Sequence, residues 1–473
     1  MSILQNFTQQ NTSMKLLLLS ILTLLFMDLQ AQSSSLTDNR RLIVSSNGRE
    51  LQYEDGKPFF WLGDTAWELF GRLNLEEIKI YFDNRAAKGF NVIQIVCLSE
   101  NDEAQPNRYG ELPLKNKTQI VPNEKYFAVV DSTVKIASDR NMYLALVATW
   151  GDNVVSGKFD SLKAYNYGKW LGDRYKNNTN VVWILGGDRV AATKEIDYRP
   201  IWRAMAKGII DGTADQCLIT YHPNGERSSS EWLHQDTWLD FNMIQSSHGR
   251  QDAPVWDMVK KDRAFSPAKP TLDSEPNYED HPINPWPKWN VDNGYFRDYD
   301  VRKQIYRSVF AGGCGVTYGH HAIWQFFNER VEAINYVERG WVNALDRRGA
   351  YQSGYLRKLI ESRPMQNRTP DLSIVAADQG EGGQHIEAFR DSDGSYAMIY
   401  LPVGKEIMVD MNFVRSKNIM AWWFNPKDAS VHKVGLLQRT PRMKFIPPVT
   451  GVGNDWVLII DDPGKHFKEP GRN

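Results

Sequence analysis

Short apolar runs recur along the first three quarters of the chain, each followed by a longer stretch whose apolar residues fall at helical spacing. The runs at 59–63, 91–98, 143–149, 181–185, 218–221, 243–245, 271–273 and 315–318 read as strands. They are apolar throughout rather than alternating, which marks strands covered on both faces. Between them, 75–89, 124–140, 163–175, 199–210 and 299–310 read as amphipathic helices. Residues 252–261 are what remains for a helix after the sixth strand, and 341–360 supplies the last helix. Eight strand–helix repeats predict an α/β fold, a (β/α)8 TIM barrel, because each crossover helix must cover the outside of a parallel sheet.

The pattern changes near 363. Arg363-Pro364 and Thr369-Pro370 bracket a polar stretch, and beyond it short alternating runs at 372–376, 385–389, 396–400, 407–411, 418–424 and 456–460 are separated by Gly and Asp turns. Period-two strands with tight turns predict a small antiparallel β-sandwich. At the other end, Lys15 precedes the apolar run from Leu16 to Met27, followed by Gln30-Ala31-Gln32. A basic start, a short apolar centre and a small residue after it make an export signal. The expected order is therefore a signal at 1–31, the barrel at 40–362, a linker at 363–371 and the sandwich at 372–473, in an exported chain that acts as a monomer.

Composition narrows the partners. A net charge of −1 gives no electrostatic reason to expect nucleic acid or an anionic membrane surface. Three cysteines, Cys97, Cys217 and Cys314, are too few and odd in number for a disulfide framework. The 16 Trp and 20 Tyr residues suit stacking on sugar rings, and equally suit a large core.

Two predicted strands stop on a carboxylate: Val181-Val182-Trp183-Ile184-Leu185-Gly186-Gly187-Asp188, and Pro270-Thr271-Leu272-Asp273-Ser274-Glu275. Barrel enzymes keep their chemistry at the C-terminal ends of the strands, and two facing carboxylates are the minimum equipment for breaking a glycosidic bond. Asp188 could instead cap the next helix, and Asp273 and Glu279 compete with Glu275, Asp273 being expected on the same side as Glu275. Asp64, Trp67, Trp150, His222, His248, Tyr318 and His320 fall at other strand ends and are candidates for contacting a sugar; Arg72 is a candidate for a substrate carboxylate. Each also has a structural reading: a helix cap for Asp64, a satisfied core histidine, an ion pair for Arg72. No His-x-His at the first strand and no His-Glu-x-x-His helix is present, so neither a metal nor another cofactor is expected. Trp422-Trp423-Phe424 is either a sugar platform or core.

Trp61-Leu62-Gly63-Asp64-Thr65-Ala66-Trp67, Trp183-Ile184-Leu185-Gly186-Gly187-Asp188 and Asp273-Ser274-Glu275-Pro276 resemble the apiosidase-like glycoside hydrolases, family 140. The resemblance runs over roughly residues 40–473, with a C-terminal sandwich often labelled collagen-binding. It implies an acid/base at Asp188, a nucleophile at Glu275, and an exo-acting enzyme that removes apiose from the rhamnogalacturonan II side chains of plant pectin. Gly187-Asp188 departs from the Asn-Glu usual after the fourth strand of the related barrel clan, which leaves the carboxylate separation open. A non-catalytic glycan-binding protein is the alternative from another class.

Overall fold

The computed structural model describes residues 40–99, 105–376 and 378–472; the expected export signal lies outside the described residues. Eight parallel strands form the centre: β1 (Trp61–Thr65), β2 (Val92–Val96), β3 (Tyr143–Val147), β4 (Val181–Gly186), β5 (Ile219–His222), β6 (Asn242–Gln245), β7 (Thr271–Asp273) and β8 (Gly315–Tyr318). The ladder runs β5-β4-β3-β2-β1-β8-β7-β6, and Arg227–Ser228 adds a short antiparallel strand beyond β6. Between β5 and β6 the seam is held otherwise: Asp240 N–H donates to the Ile219 carbonyl at 2.9 Å, and Thr220 Oγ1 donates to the Phe241 carbonyl at 2.6 Å. The result is a nearly closed (β/α)8-type barrel.

Side chains alternate across these strands, as a period of two requires. Trp61, Val92, Val96, Tyr143, Ala145, Val147, Val182, Ile184, Leu218, Met243 and Leu272 fill the interior. Leu62, Ile93, Ile95, Leu144, Trp183, Leu185, Tyr221 and Val316 face the surrounding helices. Those helices are α1 (Leu75–Ala87), α2 (Glu124–Ser138), α3 (Ser161–Tyr175), α4 (Arg199–Thr213), α5 (Val255–Arg263), α6 (Asp298–Phe310) and α7 (Arg348–Glu361). The β5–β6 crossover carries only the four-residue helix Ser230–Leu233, so the repeat is incomplete there. The expected last helix is broken: Trp341–Ala344 forms one turn and α7 starts anew at Arg348.

The C-terminal strands are β9 (Arg368–Pro370), β10 (Glu387–Asp391), β11 (Tyr396–Leu401), β12 (Ile407–Asp410), β13 (Asn418–Phe424), β14 (Val431–Gln438), β15 (Arg442–Phe445) and β16 (Trp456–Asp461). They make a six-stranded antiparallel sheet, β9-β10-β11-β16-β13-β14, facing the pair β12-β15. Residues expected as a strand at 372–376 form a 3-10 turn instead, Leu372–Ile374, capped by Asp371. The first strand, β9, lies within the stretch read as a linker. β14 and β15 were not foreseen: β14 is largely exposed and lacks a clear apolar alternation, and β15, Arg442-Met443-Lys444-Phe445, alternates over only four residues.

Both faces of the large sheet are covered. Ala397, Ile399, Leu401, Leu458 and Ile460 pack toward β12 and β15. The alternate residues Tyr396, Met398, Tyr400, Val457 and Ile459 join the barrel's outer core. There Tyr400 stacks on Tyr306 at 4.8 Å, Phe389 meets Phe310 edge-on at 4.7 Å, and Arg302 of α6 forms a buried bidentate pair with Asp455. Trp423 and Phe424 are buried, and Trp422 donates to Asp461 at 3.1 Å, so the aromatic triplet is core rather than a platform. No helix among the described residues is long and apolar enough to cross a membrane.

Candidate active site

A cleft of about 660 Å³ opens at the C-terminal ends of the barrel strands. Its walls include Trp67, Trp150, Asp188, Gln245, His248, Glu275, Tyr278, Trp286 and Trp324.

Asp188 reaches the cleft because the chain turns sharply after β4. Gly186, Gly187 and Asp188 have φ of 84°, 107° and 55°. A Cβ at Gly186 would lie 2.3 Å from the His222 carbonyl oxygen, and one at Gly187 would lie 2.8 Å from the Trp150 ring. Glycine alone satisfies both the left-handed backbone and the close approach. Asp188 caps no helix, since α4 begins only at Arg199 after Tyr198. Its Oδ1 is covered and has no hydrogen-bond partner. Burial, and then the charge of Glu275, push its carboxyl up to about 6.

Glu275 follows β7 and is 3% exposed. His222 Nε2 lies 3.0 Å from its Oε2, and His248 Nε2 lies 3.2 Å from its Oε1. Burial alone would raise this carboxyl, but the two imidazoles outweigh it and hold it down at about 2. In return the carboxylate raises His222 against its own burial. His248 Nδ1 sits 3.1 Å from the Pro276 carbonyl, which fixes a proton on Nδ1 and the ring's orientation. Asp188 and Glu275 thus share one cleft with opposite protonation preferences, and one carboxylate oxygen of each falls within 4.8 Å of the other.

Asp188, His222 and Glu275 each bring a donor atom within that same 4.8 Å, close enough to surround a cation. His222 Nε2 and Glu275 Oε2 approach to 3.0 Å without hydrogen-bond geometry, and Nδ1 of the same ring has no partner either, so nothing at this site fixes which nitrogen of His222 carries the proton.

Several expected contacts lie elsewhere. Asp64 faces outward, where it accepts from Tyr81 Oη at 2.6 Å and pairs with Arg85 of α1, all three fully buried. Period two explains this: Gly63 and Thr65 face the interior, so Asp64 cannot. Tyr318 is likewise outward and donates to Glu279 Oε2 at 2.7 Å, an acceptor that also takes Gly349 N–H at 3.0 Å. His320 is buried against Asp280 at 3.2 Å and caps the turn at Ala322. Arg72 donates to the Gln325 carbonyl and lies 3.8 Å from Glu68. None of these four is among the residues that line the cleft. Asp273 also departs from expectation: its Oδ2 accepts from Ser246 Oγ at 2.8 Å, and that oxygen in turn accepts from Gln304 of α6. It therefore faces the helices, and the alternation breaks after β7, which frees Glu275 to enter the cleft.

Trp67, Trp150, His222 and His248 do converge. The Trp67 and Trp150 rings are 5.6 Å apart, and Trp67 meets His222 edge-on at 5.4 Å. Sequence reasoning missed Gln245, Tyr278, Trp286 and Trp324. Gln245 was findable, since it ends a strand with the parity of the interior residue Met243. Trp286 sits on a loop that no periodicity describes.

The comparisons with known proteins agree with this geometry. The family model "Apiosidase-like, catalytic domain" matches residues 45–367, and "Putative collagen-binding domain of a collagenase" matches residues 369–461. A solved structure described as a glycoside hydrolase is similar at 32% identity, covering 91% of this chain and 98% of its own, with a TM-score of 0.83. A crystal structure described as a glycoside hydrolase family 5 protein from Bacteroides vulgatus is 30% identical over 93% of this chain and 97% of its own, with a TM-score of 0.85. A search of the curated proteins finds no match. The chain belongs to the apiosidase-like family and is a glycoside hydrolase.

Proposed function

We propose that the chain is an exported, exo-acting glycosidase of plant pectin that releases apiose from rhamnogalacturonan II side chains with retention at the anomeric carbon. The observation that carries the mechanism is the pair of carboxyls within 4.8 Å, one favouring its proton and the other its charge. Retaining enzymes hold their carboxyls about 5–5.5 Å apart, against about 6.5–9.5 Å in inverting ones that must fit a water between. One oxygen of each carboxyl within 4.8 Å is a closest approach in keeping with the shorter of these ranges.

In this reading Asp188, protonated below about pH 6, donates to the glycosidic oxygen as the bond to the leaving group breaks. Glu275 attacks the anomeric carbon from the opposite face and forms a glycosyl-enzyme ester. Asp188, now a carboxylate, takes a proton from water, whose oxygen displaces Glu275 and restores both groups. His222 and His248 keep Glu275 ionised in the free enzyme and stabilise it again as a leaving group. Trp67, Trp150, Trp286 and Trp324 offer apolar faces to the sugar. A cleft of about 660 Å³ has room for a sugar and its neighbour. The family match supports apiose as the released sugar.

The C-terminal sandwich is given a buttressing part, because one face of its large sheet is spent on covering α6. The test is incubation with pectic oligosaccharides, read by product mass and by the anomer first released in NMR. Apiose released as the retained anomer, and lost in Glu275→Gln, supports the proposal. Initial release of the inverted anomer removes the nucleophile role, and release of a different sugar removes the specificity.

A further inference from the structure

Gln245 is the last residue of β6 and shares the inward parity of Met243, so its side chain stands at the mouth of the barrel. It is 3% exposed and lines the same cleft as Asp188 and Glu275. It shares that lining with Asp188, and its amide favours the charged form of the Asp188 carboxyl. The amide oxygen is unanswered: Oε1 is covered and has no hydrogen-bond partner, and Asp188 Oδ1 is in the same condition. A buried acceptor left unpaired is penalised by its lost hydration, a loss that a ligand hydroxyl filling the cleft would recover.

We propose that Gln245 is a sugar-reading residue whose Oε1 accepts a hydrogen bond from the hydroxyl on C2, next to the anomeric carbon, of the sugar undergoing cleavage. This deepens the glycosidase reading and rests on it. The argument is one of adjacency. A residue that lines the cleft together with the acid and the nucleophile neighbours the reacting carbon. The nearest donor a sugar presents there is its C2 hydroxyl. Hydrogen bonds to that hydroxyl strengthen as positive charge develops on the ring, so the contact acts on the transition state more than on the ground state. A glutamine serves here because it answers both neighbours at once, donating to Asp188 and accepting from the sugar.

The experiment is a cycle between protein and substrate. The probe is the 4-nitrophenyl glycoside that the wild type cleaves fastest, with the apioside first in the panel, alongside its 2-deoxy counterpart. Wild type should lose on the order of 10²-fold in kcat/KM when the C2 hydroxyl is absent, chiefly in kcat. Gln245→Met, of similar length and without polar atoms, should discriminate less than about threefold between the two substrates. Gln245→Glu keeps an acceptor and should retain the preference, with its alkaline pH limb moved upward by the added charge. If Gln245→Met loses activity equally on both substrates, or if both variants discriminate as the wild type does, the hydroxyl contact is overturned. The same holds if Oε1 instead accepts the proton of Asp188, since no coupling to C2 then appears. A Glu275→Gln protein that turns over normally removes the hydrolytic reading itself, an outcome distinct from these.

Discussion

His222 Nε2 stands 3.0 Å from Glu275 Oε2 inside a cleft wall, a buried imidazole against a buried carboxylate. His248 approaches the other oxygen of the same carboxylate at 3.2 Å. This bracket sets Glu275 apart from Asp188, whose Oδ1 has no hydrogen-bond partner.

The first prediction concerns the pair itself. Glu275→Gln removes the nucleophile and should lower kcat by about 10⁴-fold or more. Asp188→Asn removes acid and base and should lower it by about 10²–10⁴-fold, less for substrates with good leaving groups. Both proteins should melt within a few degrees of wild type. Turnover near normal in either variant takes that residue out of the mechanism.

The pH dependence follows from the same two groups. The active form carries a proton on Asp188 and none on Glu275. Activity as kcat/KM should therefore fall as pH rises through about 6, where Asp188 ionises, and fall again as pH drops toward about 2, where Glu275 becomes protonated. A pH–rate profile in the stable range should show the alkaline limb clearly. Activity that climbs steadily from pH 5 to pH 9 contradicts the assignment.

His222→Ala should move that limb in a stated direction. The imidazole lowers both carboxyls, so its loss lets Glu275 and Asp188 rise together. Both limbs should shift to higher pH, and kcat should drop because the leaving Glu275 is less stabilised. An unchanged profile means that His222 only fills space.

Asp64 gives the contrast. It lies outside the cleft and pairs with buried Arg85, whose guanidinium has no water to turn to. Asp64→Ala should destabilise the protein by about 3–5 kcal/mol, as removing one partner of a buried pair does. Denaturant unfolding measures the loss, and kcat of the protein that remains folded should be within about twofold of wild type. A stable variant with lost activity would restore Asp64 to the site.

Joining of the two layers makes a last prediction. Because α6 shares an apolar face and the Arg302–Asp455 pair with the sandwich, a chain ending before β9 exposes Tyr306 and Phe310. Full-length protein should unfold in one thermal transition, and the truncated chain should aggregate or melt at lower temperature. Two independent transitions in calorimetry would argue against this coupling.

Much of this was written along the chain. Uniformly apolar strands mean burial on both faces, and amphipathic stretches between them mean covering helices, so the barrel follows from local pattern alone. Asp188 was legible because two glycines before an acid at a strand end leave few conformations open. What the sequence did not decide was direction. Asp64, Tyr318 and His320 sit at strand ends as plausibly as His222 does, yet one residue of register turns a side chain from cleft to helix layer. Glu275 reaches the cleft because the strand period fails after Asp273, and no local signal marks where a period ends. The histidine bracket and the unanswered amide of Gln245 likewise arise from residues far apart in sequence. Their meeting is set by how the strands close around the barrel axis, a relation between distant segments that only the folded chain contains.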